Sequence, residues 1–190
     1  MTEHVPITNV PTRVKLRVEN YLSLDSDGAF EGYGRTELID GEVVYMNAQH
    51  RPHARIKSRL YMALNVALSG RVDELEALVE ASIDVPPHNV PEPDITITSE
   101  PDGAGLIPLG SVRLIVEVAD ATLRSDLTQK AAIYARHGVP EYWVIDVNSR
   151  TIHQQWSPVG GAYGNHVQYQ FGAVLTAATI DGLTVATDHL

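Results

Sequence analysis

Apolar positions along the chain follow two periods, that of an amphipathic helix and that of short β-strands. Helical spacing is clearest in RPHARIKSRLYMALNVALSG (residues 51–70), and Gly70 suits the end of that helix. Its buried face is predicted to comprise Ile56, Leu60, Ala63, Leu64, Ala67 and Leu68. A second helix is predicted over 126–137, between Ser125 as its N-terminal cap and Gly138.

Strand patterns surround these two helices. Asp40-Gly41 lies between two short apolar-rich runs, which predicts a hairpin with strands 36–39 and 42–46. SVRLIVEVAD (residues 111–120) is a nearly continuous apolar run, typical of a central strand buried on both faces. The other predicted strands are LEALVEASIDVP, PDITITSE beginning at Asp94, YWVIDV, TIHQQW and HVQYQF. A loop over 99–110 and a Gly-rich loop between the last two strands are also predicted.

The order of these elements predicts the fold class. Residues 1–12 are expected to be a flexible entry, with Thr12 as the cap of a short helix over 13–23. A hairpin, a helix, three strands, a helix and a further strand then follow. This order predicts a single α/β (α+β) domain over 1–190, with a mixed central β-sheet flanked by α-helices and with outer strands at the C-terminus.

Composition narrows the class of protein. The 190 residues contain no cysteine, which excludes disulfides, thiolate metal sites and cysteine nucleophiles. No apolar run approaches the roughly 18 residues that span a bilayer, and the N-terminus lacks the pattern of a secretory signal. A cytoplasmic protein without membrane contact is therefore expected.

The net charge of −10 argues at first against nucleic acid, whose binding depends on Lys and Arg. However, residues 1–70 carry eight basic and eight acidic side chains, whereas residues 71–146 carry five and fourteen. Such an acidic block suits either a divalent-cation site or a solubilising surface. The basic stripe Arg51, Arg55 and Arg59 fits either a contact with the DNA backbone or solvated charge on a helix.

Three residues on different predicted elements carry the candidate chemistry. Asp94 opens one strand, Glu117 lies inside the next, and Lys130 lies on the following helix. If the strands are neighbours, both carboxylates can hold one hard cation, which activates water and neutralises phosphoryl charge. The lysine could position or deprotonate that water. Alternatively, buried Glu117 simply pairs with Arg113 or Lys130, because an unpaired buried carboxylate is costly.

Three further residues are supporting candidates, and each has a structural alternative. His53 is in register with the buried helix face, so it could support the site or be a structural histidine. Glu37, beside the hairpin turn, could add a metal ligand or be solvated. Asp126 stands four residues before Lys130 and could orient it or form an ordinary ion pair. His50 and His53 could suggest zinc, but a convincing third ligand is missing.

The combined motifs resemble a known family. VPEPDITIT, LIVEVADATLRSDLTQKAAIYARHGVPEYWVID and TELIDGEVVYMNAQHRPHARIKSRL are similar to blocks of the Uma family of restriction-endonuclease-like proteins, in the PD-(D/E)XK nuclease superfamily. The matching blocks cover about residues 33–147. The superfamily pattern has a lysine two residues after the second acidic residue, where this chain has Ala119. The Uma-type pattern places the lysine on the next helix, where Lys130 matches.

The resemblance implies a restriction-endonuclease-like core, a Mg²⁺ or Mn²⁺ cofactor, and metal binding by Asp94 and Glu117. The expected function is that of a metal-dependent endodeoxyribonuclease, with DNA as its substrate and a homodimer as its assembly. One alternative is a catalytically inactive nuclease-fold domain that binds nucleic acid or a protein partner, which Ala119 and the acidic surface keep open. Another is a metal-dependent hydrolase of a smaller phosphoester.

Overall fold

The N-terminal part of the fold consists of two helices with a hairpin between them. The structure is a computed structural model that describes residues 13–190. These elements are α1 (Val18–Ser26), β1 (Thr36–Ile39), β2 (Glu42–Tyr45) and α2 (Arg51–Leu68), with a 3₁₀ turn at Glu31–Tyr33. The predicted hairpin is confirmed: Asp40 and Gly41 have φ angles of 50° and 81°, as a two-residue I′ turn requires. The predicted long helix is confirmed too, and Gly70 follows it with φ 75°.

The first helix begins later than predicted. The backbone N–H of Leu16 donates to the Gly41 carbonyl at 3.0 Å, and that of Val18 donates to the Pro87 carbonyl at 3.0 Å. These bonds hold the chain before Val18 in an extended form against the hairpin turn, so the helix cannot start at the predicted position. Thr12, its predicted cap, and the rest of the predicted flexible entry lie outside the described residues.

A six-stranded mixed sheet forms the centre of the fold, which confirms the predicted class. The strands after α2 are β3 (Glu76–Val79), β4 (Ile83–Asp84), β5 (Ile95–Thr98), β6 (Ile107–Pro108), β7 (Val112–Ala119), β8 (Glu141–Asp146), β9 (Thr151–Val159), β10 (Ala162–Gln170), β11 (Val174–Thr176) and β12 (Thr184–Ala186). The order in the central sheet is β10-β9-β8-β7-β5-β3. Within it, β7 and β8 run parallel and the other neighbours are antiparallel.

Several strand boundaries differ from the prediction. LEALVEASIDVP forms two strands, β3 and β4, because the chain turns at Glu80, whose φ is 52°. The predicted loop over 99–110 contains β6, which pairs in parallel with β4, and a 3₁₀ turn follows at Leu109–Ser111. The predicted Gly-rich loop shrinks to a turn at Gly160-Gly161 between the long strands β9 and β10.

The helical segment between β7 and β8 also departs from the prediction. It consists of α3 (Leu123–Ser125), a π-helical turn (Asp126–Lys130) and α4 (Ala131–Arg136). Ser125 therefore lies inside the segment and is not its cap. The hydroxyl of Thr122, just before the segment, donates to the Asp126 carboxylate at 2.6 Å. In the π-helical turn, the N–H of Ala131 donates to the Asp126 carbonyl, five residues earlier.

The core lies on both faces of the central sheet. One layer joins the sheet to α2 and the C-terminal segment, through residues such as Leu60, Trp143 and Leu183. The other layer joins it to α4, through residues such as Ile133 and Tyr142. β7 contributes to both layers, as its apolar run predicted. Over residues 13–190, no helix combines the length and apolarity needed to cross a membrane.

Candidate active site

Asp94 and Glu117 face each other across two neighbouring antiparallel strands. In the register of β5 and β7, Ile95 pairs with Val116, so Asp94, one residue earlier, comes opposite Glu117. The backbone N–H of Val118 donates to Asp94 Oδ2 at 2.8 Å, which fixes the carboxylate against β7. Both side chains are buried, and each residue is 5% exposed. The structure thus brings the two predicted carboxylates together.

Lys130 reaches the same point from the π-helical turn. Its Nζ lies 2.9 Å from Glu117 Oε1 and 3.1 Å from Glu37 Oε1. Glu37 is buried in β1, not solvated, and its Oε1 also accepts the backbone N–H of Glu92 at 2.7 Å. The hydroxyl of Tyr134 donates to Glu117 Oε1 at 3.1 Å. Glu117 therefore pairs with Lys130, one of the two basic partners named above as an alternative to metal binding. The pair lies on the wall of a cavity lined by further carboxylates.

Burial and the neighbouring charges act in opposite directions on the pKa of each member of this ion pair. Burial acts to raise the pKa of Glu117, the charge of Lys130 opposes this shift, and the charges of Asp126 and Asp94 add to it. Burial alone would lower the pKa of Lys130, but the charges of Glu117 and Glu37 outweigh it and raise the pKa. The lysine is therefore an ammonium at neutral pH. It can donate hydrogen bonds and stabilise negative charge, but it cannot take a proton from water.

Two residues of α2 approach Asp94 from the other side. His53 Nε2 lies 3.2 Å from Asp94 Oδ2, and Lys57 Nζ lies 3.4 Å from Asp94 Oδ1. Within the described chain, His53 Nδ1 is buried and has no hydrogen-bond partner. Burial acts to raise the pKa of Asp94, but His53, the N–H of Val118 and Lys57 together lower it. Lys57 was not predicted, although it follows His53 by one helical turn.

An ion-pair network surrounds the Asp94 side of the site. Glu80 contacts both Lys57 and Arg35, and Arg35 Nε lies 3.0 Å from Glu92 Oε1. Burial acts to raise the pKa of Glu80, but the bonds from Lys57 and Arg35 outweigh it and lower the pKa to about 2. No local spacing in the sequence indicates this network, because its members come from separate elements.

The predicted helical pair of Asp126 and Lys130 is not formed. The carboxylate of Asp126 instead accepts the hydroxyl of Thr122, and the ammonium of Lys130 binds other carboxylates. The π-helical turn explains the difference, because residues four apart no longer stand above one another there. Asp126 still lies on the wall of the site, and its negative charge helps to raise the pKa of Lys130.

The other predicted residues take separate places. His50 Nδ1 lies 3.2 Å from Asp120 Oδ2, whereas His53 faces Asp94. The two histidines therefore approach different carboxylates. The predicted basic stripe consists of Arg51, Arg55 and Arg59. All three are exposed, and they line a different cavity.

A cavity of about 620 Å³ opens over the candidate active site, and its walls include Asp94, Glu117, Lys130, Glu37 and His53. Among residues 13–190, no group of three or more His, Asp or Glu side chains is arranged to hold a metal ion. Asp94 and Glu117 supply two hard oxygen ligands, however, and Mg²⁺ usually completes its coordination with water and substrate phosphate. The donor chemistry therefore fits a Mg²⁺ or Mn²⁺ cofactor.

The mixed sheet flanked by helices, with a carboxylate pair on two neighbouring strands, places this protein in the restriction-endonuclease-like fold class. A family model, Uma2, described as "Putative restriction endonuclease", matches residues 18–188. The chain belongs to the Uma2 family. The match extends beyond the blocks that carried the resemblance in the sequence and includes the C-terminal strands.

A solved structure shares this fold. It is described as "a putative nuclease belonging to DUF820" from Anabaena variabilis ATCC 29413, and the TM-score is 0.69. The two chains are 15% identical over 91% of this chain and 96% of the other. At this identity the likeness shows the fold alone. No curated protein matches the chain.

Proposed function

We propose that this protein is a divalent-metal-dependent endonuclease that hydrolyses phosphodiester bonds of DNA. Its family, described as "Putative restriction endonuclease", supports a nuclease. The observation that carries the proposal is the placement of Asp94 opposite Glu117 on neighbouring strands, with Lys130 Nζ 2.9 Å from Glu117. These groups stand at the wall of a cavity, where a phosphate group of a substrate could enter.

Each residue of this set has a distinct role in the proposed reaction. Asp94 and Glu117 would hold Mg²⁺ or Mn²⁺, which when bound supplies charge neutralisation at the phosphoryl group and a more acidic water. The ammonium of Lys130 orients an anionic oxygen and stabilises the negative charge that develops on it. His53 and Lys57 each contact one oxygen of Asp94, and they keep that carboxylate ionised and oriented.

Cleavage of supercoiled plasmid DNA tests the proposal. With Mg²⁺ or Mn²⁺, we expect the wild type to cut, and Asp94→Asn or Glu117→Gln to lose about 100-fold or more of the rate, because each removes a charged ligand. Asp188→Asn makes the same chemical change at an exposed residue and should cut normally. Circular dichroism establishes that each variant is folded. Undiminished cutting by both ligand variants would contradict the proposed site.

Binding of Mn²⁺ provides a test that does not depend on cleavage. Calorimetric titration of the wild type and of Glu117→Gln should show weaker binding by the variant, because the amide cannot supply a negative oxygen. Equal affinities would remove the metal-site argument, whatever the plasmid assay shows.

A second candidate function is that of a catalytically inactive nuclease-fold domain that binds nucleic acid or a protein partner. Two observations favour it: Ala119 stands where the superfamily pattern has a lysine, and Lys130 is already paired with Glu37 and Glu117. DNA binding without cutting under any divalent cation would establish this alternative. Hydrolysis of a small phosphodiester but not of DNA would instead establish the smaller-substrate hydrolase. The homodimer stays a prediction, which the mass in solution tests.

A further inference from the structure

A second cavity, of about 410 Å³, lies on the other side of the N-terminal end of α2. We call it the basic cavity, because four arginines line it: Arg51, Arg55, Arg59 and Arg150. The rest of its wall includes the apolar residues Ile56, Val147 and Leu190. None of these residues belongs to the candidate active site.

The basic cavity collects arginines for which no ion pair with an Asp or Glu side chain is found among residues 13–190. The chain has fourteen Lys and Arg residues, all within residues 13–190, and seven of them form ion pairs. Four of the other seven line this cavity. In a chain of net charge −10, four arginines without an Asp or Glu partner among residues 13–190 make this cavity a candidate site for an anion.

Two of these guanidinium groups are held in place by the backbone. Arg59 Nη1 donates to the His189 carbonyl at 2.5 Å, and Arg150 Nη2 donates to the backbone oxygen of Leu190 at 3.1 Å. Arg150 also stacks on Phe171, with its Cζ 4.6 Å from the ring centroid. A guanidinium has five N–H donors, so both groups keep donors for a ligand while their orientation is restricted.

The basic cavity borders the candidate active site. His50 lines the first cavity and Arg51, the next residue in the chain, lines the second. Asp120 lies on the wall of the first cavity, and its backbone carbonyl accepts a hydrogen bond from Asn148 Nδ2 at 2.6 Å. Asn148 directly follows Val147, which lines the second cavity. The two cavities are therefore neighbours, and a ligand longer than either of them would contact both.

We propose that the basic cavity binds the sugar-phosphate backbone of the DNA strand next to the bond held at the candidate active site. This inference rests on the proposed function. Arg51, Arg55 and Arg59 recur every four residues, which is about 6 Å along the helix axis, so they can contact successive phosphates of one strand. Such contacts fix the register of the strand but carry no sequence information.

Salt-dependent DNA binding tests this inference. The probe is a short fluorescent DNA duplex in EDTA, so that no metal-dependent cleavage occurs. For Arg51→Gln/Arg55→Gln, we expect the slope of log K against log salt to be shallower by about 1.8, because two phosphate contacts are lost. Between about 50 and 200 mM NaCl, this corresponds to about tenfold less weakening of affinity by salt.

Arg13→Gln/Arg136→Gln is the matched control. It removes the same charge from two exposed arginines that lie outside both cavities. We expect its salt slope to equal that of the wild type. If both double variants change the slope equally, only the overall charge matters and the inference is wrong. It is also wrong if the Arg51/Arg55 variant keeps the wild-type slope, or if inorganic phosphate binds in the basic cavity and the duplex does not.

The two proposals can fail separately. If the salt slope of DNA binding falls in the Arg51→Gln/Arg55→Gln variant but the wild type never cuts DNA with Mg²⁺ or Mn²⁺, the basic cavity binds DNA and the nuclease proposal fails. If the wild type cuts DNA and the Arg51→Gln/Arg55→Gln variant has the same salt slope as the wild type, the nuclease proposal stands and the proposed role of the basic cavity is wrong.

Discussion

At the residue scale, the ammonium of Lys130 balances two buried carboxylates. Lys130→Met would leave Glu117 and Glu37 without their counter-charge. We expect this variant to lose about 3 kcal/mol of free energy of unfolding, because removing one partner leaves a buried charge uncompensated. Urea denaturation followed by circular dichroism measures the loss.

A double variant separates this effect from lost packing. In Lys130→Met/Glu117→Gln, the neutral amide needs no counter-charge, so part of the lost stability should return. If the two single effects simply add, the side chains are not coupled as the ion pair requires. Lys15→Met, at an exposed position, should change the stability by no more than about 0.5 kcal/mol.

The network at Glu80 predicts a pH-dependent contribution to stability. The folded-state pKa of Glu80 is lowered from 4.5 to about 2, mainly by Lys57 and Arg35 acting against burial. A lowered pKa stabilises the fold above the ordinary value, and this contribution is lost as the pH falls from 4.5 towards 2. The difference in free energy of unfolding between the wild type and Glu80→Gln should therefore be greatest at neutral pH.

Urea denaturation at neutral pH and at about pH 3 measures this difference. Glu74→Gln, at an exposed glutamate for which no ion pair is found in residues 13–190, should show a small difference at both values. If the difference in free energy of unfolding between the wild type and Glu80→Gln instead grows as the pH falls, the ion pairs of Glu80 do not stabilise the fold as proposed.

The sequence and the family resemblance together predicted Asp94, Glu117 and Lys130 as the centre of the candidate site, and the structure places them together. Lys57 and Tyr134 could not be predicted in the same way. Their contacts depend on how α2 and α4 pack on the sheet, which no local pattern specifies.

At the element scale, Glu141 attaches the C-terminal segment to β8. This residue is fully buried, and its carboxylate accepts hydrogen bonds from the N–H groups of Ala178 and Thr179 and from the Trp143 indole. Because these partners are donors, Glu141→Gln would turn an amide NH₂ towards at least one of them. We expect a loss of about 1–3 kcal/mol in urea denaturation. An unchanged stability, equal to that of the exposed control Glu42→Gln, would contradict this role.

Elements with a strong local pattern were predicted well. The hairpin around Asp40-Gly41 and the helix α2 follow from turn chemistry and from a sustained helical period. β4 and β6 have two residues each, and β11 and β12 have three, so none of them is long enough to show a period. These short strands form because the rest of the fold brings them together.

At the scale of the whole molecule, net charge is a poor guide to the expected partner. The chain carries a net charge of −10, yet four arginines line one cavity while the buried carboxylates Glu37, Asp94, Glu117 and Asp126 line another. α2 borders both: His53 faces the candidate active site, and Arg55 faces the basic cavity. Only the folded arrangement shows this separation, because the carboxylates come from separate elements and because His53 and Arg55 are only two residues apart in the sequence.

The π-helical turn at Asp126–Lys130 has a consequence for comparing sequences within the family. Its hydrogen bond spans five residues where an α-helix spans four, so the turn holds one extra residue. The wider turn absorbs this residue, so the helical faces before and after it stay in phase. In a regular α-helix, the same extra residue would rotate one side by about 100° relative to the other. In an ungapped alignment, a relative with a lysine at the position of Lys130 is expected to keep the same turn. A one-residue gap within Asp126–Lys130 would mark a relative with a regular α-helix there, whose residues on either side of the gap keep their faces.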